Sequence, residues 1–291
     1  MKILAIVNLF SGKGKGREYL KVLQNELKDG NELKIYLTKD KPHTVNFVKN
    51  YCRDFDMIVV VGGDGTLNEV VNGCMAAKSD VPVGYIPAGS TNDFATTLKL
   101  VRDPVEACRS FLKMNTKPLD VGVFNGRYFT YVAAAGAFSE TSYATSTELK
   151  NKLGHFAYIL GGIASVPTIR PQHMRVEVDG RVFEGDYLLT MISNSTSVGG
   201  VFSYEDTLVS LDDGKFEIAL LREPEMIYEL GSLLKDVLLH KYNGDYIEFA
   251  SGSHIRIDSP KEIPWSLDGE FGGAYTAMEI DNIHKALKLL I

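Results

Sequence analysis

The sequence is short of cysteine: Cys52, Cys74 and Cys108 are the three it has in 291 residues. They form no C-x-x-C and no pairing pattern, which excludes a zinc ribbon or a disulfide framework. The thiols read as reduced and packed, in a reducing compartment. Long apolar runs are missing too. The richest, LGHFAYILGGIASV (153–166), has 14 residues and holds a histidine and three glycines. That is short of the ~20 a spanning helix needs, so no transmembrane segment is expected. MKILAIVNLF carries too short an apolar stretch for a signal peptide, meets SGKGKG without a cleavage-like site, and reads as a first buried strand. An excess of one charge is also absent. Lys and Arg number 31 against 37 Asp and Glu, a net charge of −6, which disfavours a duplex nucleic-acid partner. G-x-x-x-x-G-K-[ST] does not occur, nor G-x-G-x-x-G in a strand-to-helix turn. A P-loop enzyme and an ordinary dinucleotide-binding dehydrogenase are thereby excluded. His155, His173, His240 and His254 show no metal-ligand spacing.

What is present is an ordinary globular composition, 45% hydrophobic and 23% charged, and length enough for two domains. Residues 1–118 alternate in type. Strands are expected at 2–8, 32–38, 56–61 and 81–87, and helices at 16–29, 43–52 and 66–77. Near-continuous apolar strands between helices predict an α/β domain with a parallel sheet covered on both faces. Such sheets bind ligands at the carboxyl ends of their strands. From Pro118 the texture changes to alternating strands with N-G and D-G turn signals. Residues 119–277 are therefore expected to form a mainly antiparallel β domain, with helical interruptions near 150–164 and 225–240. The apolar end, 278–291, is expected to return to the first domain.

Three glycine-rich loops follow predicted strands: NLFSGKGKG (8–16), GGDGT (62–66) and PAGSTNDFA (87–95). Small residues ahead of a helix N-terminus leave backbone N–H groups facing outward, an arrangement that suits phosphate. Gly62, Gly63 and Gly65 let a polyphosphate approach the backbone. Asp64 would repel a bare phosphate, so its place in the turn points to Mg²⁺ between carboxylate and phosphate.

GGDGTLNEVVNG followed by P-A-G-S-T-N-D-F-A resembles the catalytic domain of the soluble bacterial diacylglycerol kinase family, which also includes sphingosine and ceramide kinases. N-L-F-S-G (8–12) is similar to the family's N-P-x-S-G. LGHFAYILGGI (153–163), NSTSVGG (194–200), LDDGKFEI (211–218) and SLDGE (266–270) follow in the expected order. Leu9 stands in place of the usual proline, Ser90 in place of threonine and Thr96 in place of arginine. The resemblance implies a nucleotide-binding α/β domain (1–118) and a β-sandwich-like lipid-acceptor domain (119–277). It implies an ATP- and Mg²⁺-dependent transfer of phosphate to the hydroxyl of diacylglycerol, giving phosphatidic acid. A sphingoid base, a polyprenol or another lipid alcohol is the alternative acceptor, and a non-catalytic nucleotide-binding protein of the same fold is a further reading.

By the same resemblance Asn8, Ser11, Gly12, Lys13, Thr38, Gly62, Gly63, Asp64, Gly65, Thr66, Asn68, Glu69, Ser90 and Asn92 would line the ATP site. Lys13 as a solvated loop lysine and Glu69 as a first-turn acid complementing the helix dipole stay open. Asp93 joins Asp64 in an aspartate–water–Mg²⁺ network, with an N-cap role as the alternative. Asp268 would act as general base in an apolar setting, with Glu270 beside it setting geometry or charge; Asp64 is the rival base, and a surface β-turn is the alternative reading of SLDGE. Asp213 and the Lys215 carbonyl would hold a second, structural Mg²⁺, or else form an acidic hairpin turn. A lipid substrate met peripherally at a membrane surface is the expected partner, with Lys150, Lys152 and 153–163 as the candidate contact or else a buried helix; a homodimer stays open. The protein is expected to be cytoplasmic and peripherally membrane-associated.

Overall fold

The computed structural model describes residues 1–89, 92–136, 171–195, 197–198, 202–203, 209–223, 244 and 246–291; within these, Lys13 and Asp93 are placed by their backbone. The expected helices near 150–164 and 225–240, and the membrane contact at 150–163, lie outside the described residues. The chain divides into two compact units, Met1–Val121 with His284–Ile291, and Gly122–Ile283.

The first unit holds β1 (Lys2–Val7), α1 (Lys15–Leu27), β2 (Glu32–Leu37), α2 (Lys41–Tyr51), β3 (Met57–Gly62), α3 (Asp64–Ala76), β4 (Val83–Pro87), α4 (Asp93–Thr97) and α5 (Pro104–Phe111). β3 and β4 are buried at every position and β1 at every position but the first, which is why these strands read as unbroken apolar runs. β2 is half-exposed. It ends the strand order β4-β3-β1-β2, so one flank needs no apolar cover. Pairing is parallel, with Val7 opposite both Leu37 and Val61, and Gly62 opposite Pro87. The carboxyl ends of the four strands are therefore level, and the loops starting at 8, 38, 63 and 88 leave from one edge.

Local signals set most helix starts. Asp40 accepts from the His43 N–H and Asp103 from the N–H groups of Val105 and Glu106, each ahead of a proline in the first turn. α3 starts at Asp64, two residues before the start read from the sequence, because extended Gly63 serves as its N-cap. α4 and α5 have no counterpart among the expected helices, although Asp103-Pro104 is a standard start signal.

The second unit is built on β5 (Thr116–Phe124), which crosses into it, β6 (Arg127–Phe129), β7 (Val132–Gly136), β8 (Gln172–Val178), β9 (Arg181–Ser193), β10 (Ser197–Val198), β11 (Phe202–Ser203), β12 (Phe216–Arg222), β13 (Ile247–Gly252), β14 (His254–Leu267) and β15 (Glu270–Leu290). Pairing is antiparallel along β13-β12-β9-β7-β14. Three two-residue hairpins join neighbours: Asn125-Gly126, Asp179-Gly180 and Asp268-Gly269. Both residues of each have positive φ, the type I′ geometry that N-G and D-G favour. Inward residues of alternate strand positions, among them Trp265, Phe124, Phe129, Phe216 and Tyr187, form its core. The chain's end is the last part of β15, whose Leu289 pairs in parallel with Val83 of β4. Among the described residues no helix is long and apolar enough to cross a membrane.

Candidate active site

The three glycine-rich loops meet. The first and third extend the ladder past their strands by one bond each, Asn8 N–H to Val61 O at 2.9 Å and Ala88 N–H to Gly62 O at 2.7 Å, and Thr38 does the same after β2, its N–H donating to Val7 O at 3.0 Å. Asn8 then turns its loop. Its Oδ1 accepts from Phe10 N–H at 3.0 Å, its carbonyl accepts from Ser11 Oγ at 2.8 Å, and its Nδ2 reaches Thr66 Oγ1 at 3.4 Å. Gly12 (φ +54°) lies so close to the third loop that a Cβ would sit 1.9 Å from the Ala88 carbonyl oxygen. The second and third loops also come together at two glycines, since a Cβ on Gly89 would be 2.7 Å from Gly63 Cα. Asn92, itself at φ +55°, closes the third loop by accepting from Gly89 N–H at 2.9 Å and donating to Gly89 O at 2.8 Å.

α3 starts against this cradle with no side-chain cap on its first N–H groups, which leaves the positive end of a 13-residue helix toward the loops. Asp64 is its first residue. The buried Tyr85 hydroxyl lies 3.3 Å from Asp64 Oδ1 and 3.4 Å from Asn92 Oδ1, so it ties the second loop to the third. Asn68 and Glu69 fall in the second turn of α3. The reading of Glu69 as a first-turn acid is therefore corrected: Asp64 fills that role, because the helix starts earlier than the glycines suggest. Asn68 is buried and receives the Lys41 ammonium at 3.5 Å and the Asn72 amide at 3.1 Å. Lys13 sits in the short 3-10 turn Ser11–Gly14, Asp93 is the first residue of α4, and Ser90 lies outside the described residues. Thr96, where the family has arginine, accepts from the Arg102 guanidinium at 3.1 Å, which brings a cation to that position from six residues along.

The donor set suits magnesium better than a transition metal. Among the described residues there is no cluster of three or more His, Cys, Asp or Glu side chains. Asp64 offers a carboxylate beside a phosphate-shaped cradle, and Mg²⁺ is ordinarily held by one or two carboxylates with phosphate oxygens and water.

In the second unit Asp268 is 4% exposed and its carboxylate is clamped. Oδ2 accepts from Thr130 N–H at 2.7 Å and from Thr130 Oγ1 at 2.8 Å; Oδ1 accepts from Tyr131 N–H at 2.9 Å and Val132 N–H at 3.1 Å. Asp268 N–H in turn donates to Val132 O at 2.8 Å. The expected apolar setting is corrected here: the group is dry but ringed by donors. Burial holds its carboxyl above the ordinary aspartate range, and the four hydrogen bonds offset only part of that rise. Glu270 follows at the start of β15, half-exposed.

At the LDDGK turn Asp213 Oδ1 accepts from Lys215 N–H at 3.0 Å, and the Lys215 carbonyl accepts from Asn282 Nδ2 at 3.1 Å. The chain itself uses these oxygens. Two residues on, Glu217 is buried on β12, and Oε2 of its carboxyl has no partner among the described residues. Burial, with the nearby Asp213 carboxylate, pushes it up to about 8.

Sequence reasoning missed Tyr85, Gly89 and Thr130. Gly89 stands in the third glycine-rich loop and was open to notice. Tyr85 and Thr130 carried no signal, since each reads as an ordinary strand residue.

The sequence matches known families over both units. Residues 2–124 match the diacylglycerol kinase catalytic domain, and residues 132–291 match the YegS C-terminal NAD kinase beta sandwich-like domain. The chain belongs to the diacylglycerol kinase family. It is 30% identical to a diacylglycerol kinase of Bacillus subtilis (strain 168), over 98% of this chain and 95% of that one. It is 34% identical to a diacylglycerol kinase of Staphylococcus carnosus (strain TM300), over 94% and 89%. Two solved structures from Bacillus anthracis str. Sterne share the fold. One, of a diacylglycerol kinase, is 24% identical with a TM-score of 0.75, covering 99% of this chain and 96% of that one. The other is 27% identical with a TM-score of 0.82, covering 99% and 94%.

Proposed function

We propose that this chain is an ATP-dependent lipid kinase that phosphorylates the free hydroxyl of diacylglycerol to phosphatidic acid. One observation carries the reading: three glycine-rich strand ends, level by register, meet through contacts that admit no Cβ and face the uncapped start of α3. Phosphoryl transfer asks the protein mainly for positioning and charge neutralisation, and backbone donors at a helix start supply both. Asn8, Ser11, Gly12, Lys13, Thr38, Gly62 to Thr66, Asn68, Glu69, Ser90 and Asn92 would line the nucleotide site. Asp64, steadied by Tyr85, and Asp93 would hold Mg²⁺, which when bound neutralises charge on the phosphates. Asp268 is the ultimate acceptor of the lipid hydroxyl's proton. The names of the relatives favour diacylglycerol over other lipid alcohols. Because that substrate is insoluble, the protein works in the cytoplasm against the membrane surface.

Thermal unfolding tests the nucleotide half. A ligand that binds only the folded state stabilises by RT ln(1 + [L]/Kd), about 2.7 kcal/mol at a hundredfold excess over Kd. ATP with Mg²⁺ is expected to raise Tm more than ATP alone or Mg²⁺ alone, and Asp64→Asn is expected to shrink the Mg²⁺-dependent part. No shift with millimolar ATP and Mg²⁺ would sink the proposal.

A further inference from the structure

Asp268 has no open lone pair with which to meet a substrate. A carboxylate offers about four acceptor positions, and Thr130 N–H, Thr130 Oγ1, Tyr131 N–H and Val132 N–H supply four donors at 2.7–3.1 Å. Three of these are backbone groups, and the backbone is pinned from both sides. Asp268 N–H donates to Val132 O at 2.8 Å, and Asn194 N–H donates to Tyr131 O at 2.9 Å. The turn leaves no slack, because Asp268 and Gly269 both hold positive φ in a two-residue hairpin. The fourth donor is different in kind. A hydroxyl turns about one bond, and it can accept one hydrogen bond while donating another.

We propose that Thr130 relays the proton: its hydroxyl, and not Asp268 directly, meets the hydroxyl of the lipid acceptor. The inference rests on Asp268 as the final base of the kinase reaction proposed above. In the step, the acceptor O–H bond breaks and its proton forms a new O–H bond to Thr130 Oγ1. The proton already on Oγ1 passes along the 2.8 Å hydrogen bond to Asp268 Oδ2. The acceptor oxygen uses the freed electron pair to bond the γ-phosphorus, and the bond from that phosphorus to the bridging oxygen breaks, its pair leaving with ADP. Thr130 ends as a neutral hydroxyl and Asp268 as a neutral acid, so charge and atoms balance. Both side chains are almost fully buried, Thr130 at 3% and Asp268 at 4% exposure. The tight cage that makes Asp268 a poor direct partner also holds it in register to receive the relayed proton.

The test is steady-state phosphorylation of a short-chain diacylglycerol in mixed micelles by the full chain and five variants: T130V, T130S, T130A, D268N and the T130V/D268N double. T130V keeps the volume and removes the hydroxyl. It is expected to lower kcat by about 10²–10⁴-fold, the usual size of general acid–base assistance, with KM for ATP unmoved. T130S is expected to recover most of that loss, standing at least tenfold above T130A. T130V combined with D268N is expected to be no slower than the slower single variant, because the two act as one unit. If D268N falls but T130V stays within about threefold of wild type, Asp268 acts directly and the relay is overturned. The Ser and Ala pair decides the question should T130V fail to fold: equal kcat values for the two overturn the relay. If D268N itself keeps a normal kcat, the base assignment fails first, and the relay goes with it.

Discussion

Asp268→Asn is expected to cut kcat for lipid phosphorylation by about 10²–10⁴-fold and to lower Tm as well. Loss of the carboxylate removes the proton's destination, which only the chemical step uses, so KM for ATP should hold. Stability falls for a separate reason. An amide offers one oxygen where the carboxylate offered two, and its NH₂ turns donors toward donors on the 130–132 segment. Thr130 can reverse its hydroxyl and accept from the amide, but a backbone N–H cannot. Leaving one buried donor without an acceptor costs about 1–3 kcal/mol. Kinetics should therefore be run well below the variant's Tm, with ATP-induced stabilisation as a control for folding. A variant with near-normal kcat would return the SLDGE turn to a purely structural role.

Glu217→Gln should do the opposite to stability, and in a pH-dependent way. Burial is the main cause that pushes the Glu217 carboxyl from 4.5 to about 8. The sign follows from proton binding. Below the unfolded value both states are protonated, and the group costs nothing. Between the two values the unfolded chain releases its proton while the folded chain keeps it, so stability falls as pH rises and levels off above the folded value. At about 1.4 kcal/mol per unit, the loss reaches the order of 4–5 kcal/mol before relaxation of the site reduces it. A neutral amide removes this cost. Denaturant titrations at pH 5 and pH 8.5 should show Glu217→Gln close to wild type at the lower pH and more stable by a few kcal/mol at the higher. Equal stability at pH 8.5 would mean that the carboxylate finds water or a cation in the folded state.

Much of the first unit was legible because its physics is local. Strands buried on both faces must be apolar throughout, and Ile58 to Val61 show it. N-G and D-G require positive φ wherever they turn a hairpin, and 125–126, 179–180 and 268–269 all do. The glycine loops were legible as phosphate-shaped, but their mutual contact was not. That Gly12 abuts Ala88 and Gly63 abuts Gly89 follows from strand order and register, which are long-range. The start of α3 was read two residues late because Gly-Asp-Gly is equally a turn sequence, and that slip moved Glu69 out of the first turn. The cage around Asp268 was out of reach for a plainer reason. Its donors lie up to 138 residues away in sequence, on a threonine, a tyrosine and a valine whose side chains suggest a strand. D-G marks a turn in sequence, but whether the aspartate of that turn points to water or into a ring of N–H groups depends on what packs beside it.

The most direct measurement is incubation of the purified chain with γ-labelled ATP, Mg²⁺ and diacylglycerol in mixed micelles, followed by separation of the lipids. The expected result is label in phosphatidic acid, formed in proportion to enzyme, abolished by leaving out diacylglycerol and strongly reduced in Asp268→Asn. Hydrolysis of ATP without labelled lipid, or no turnover while ATP still stabilises the fold, would contradict the account.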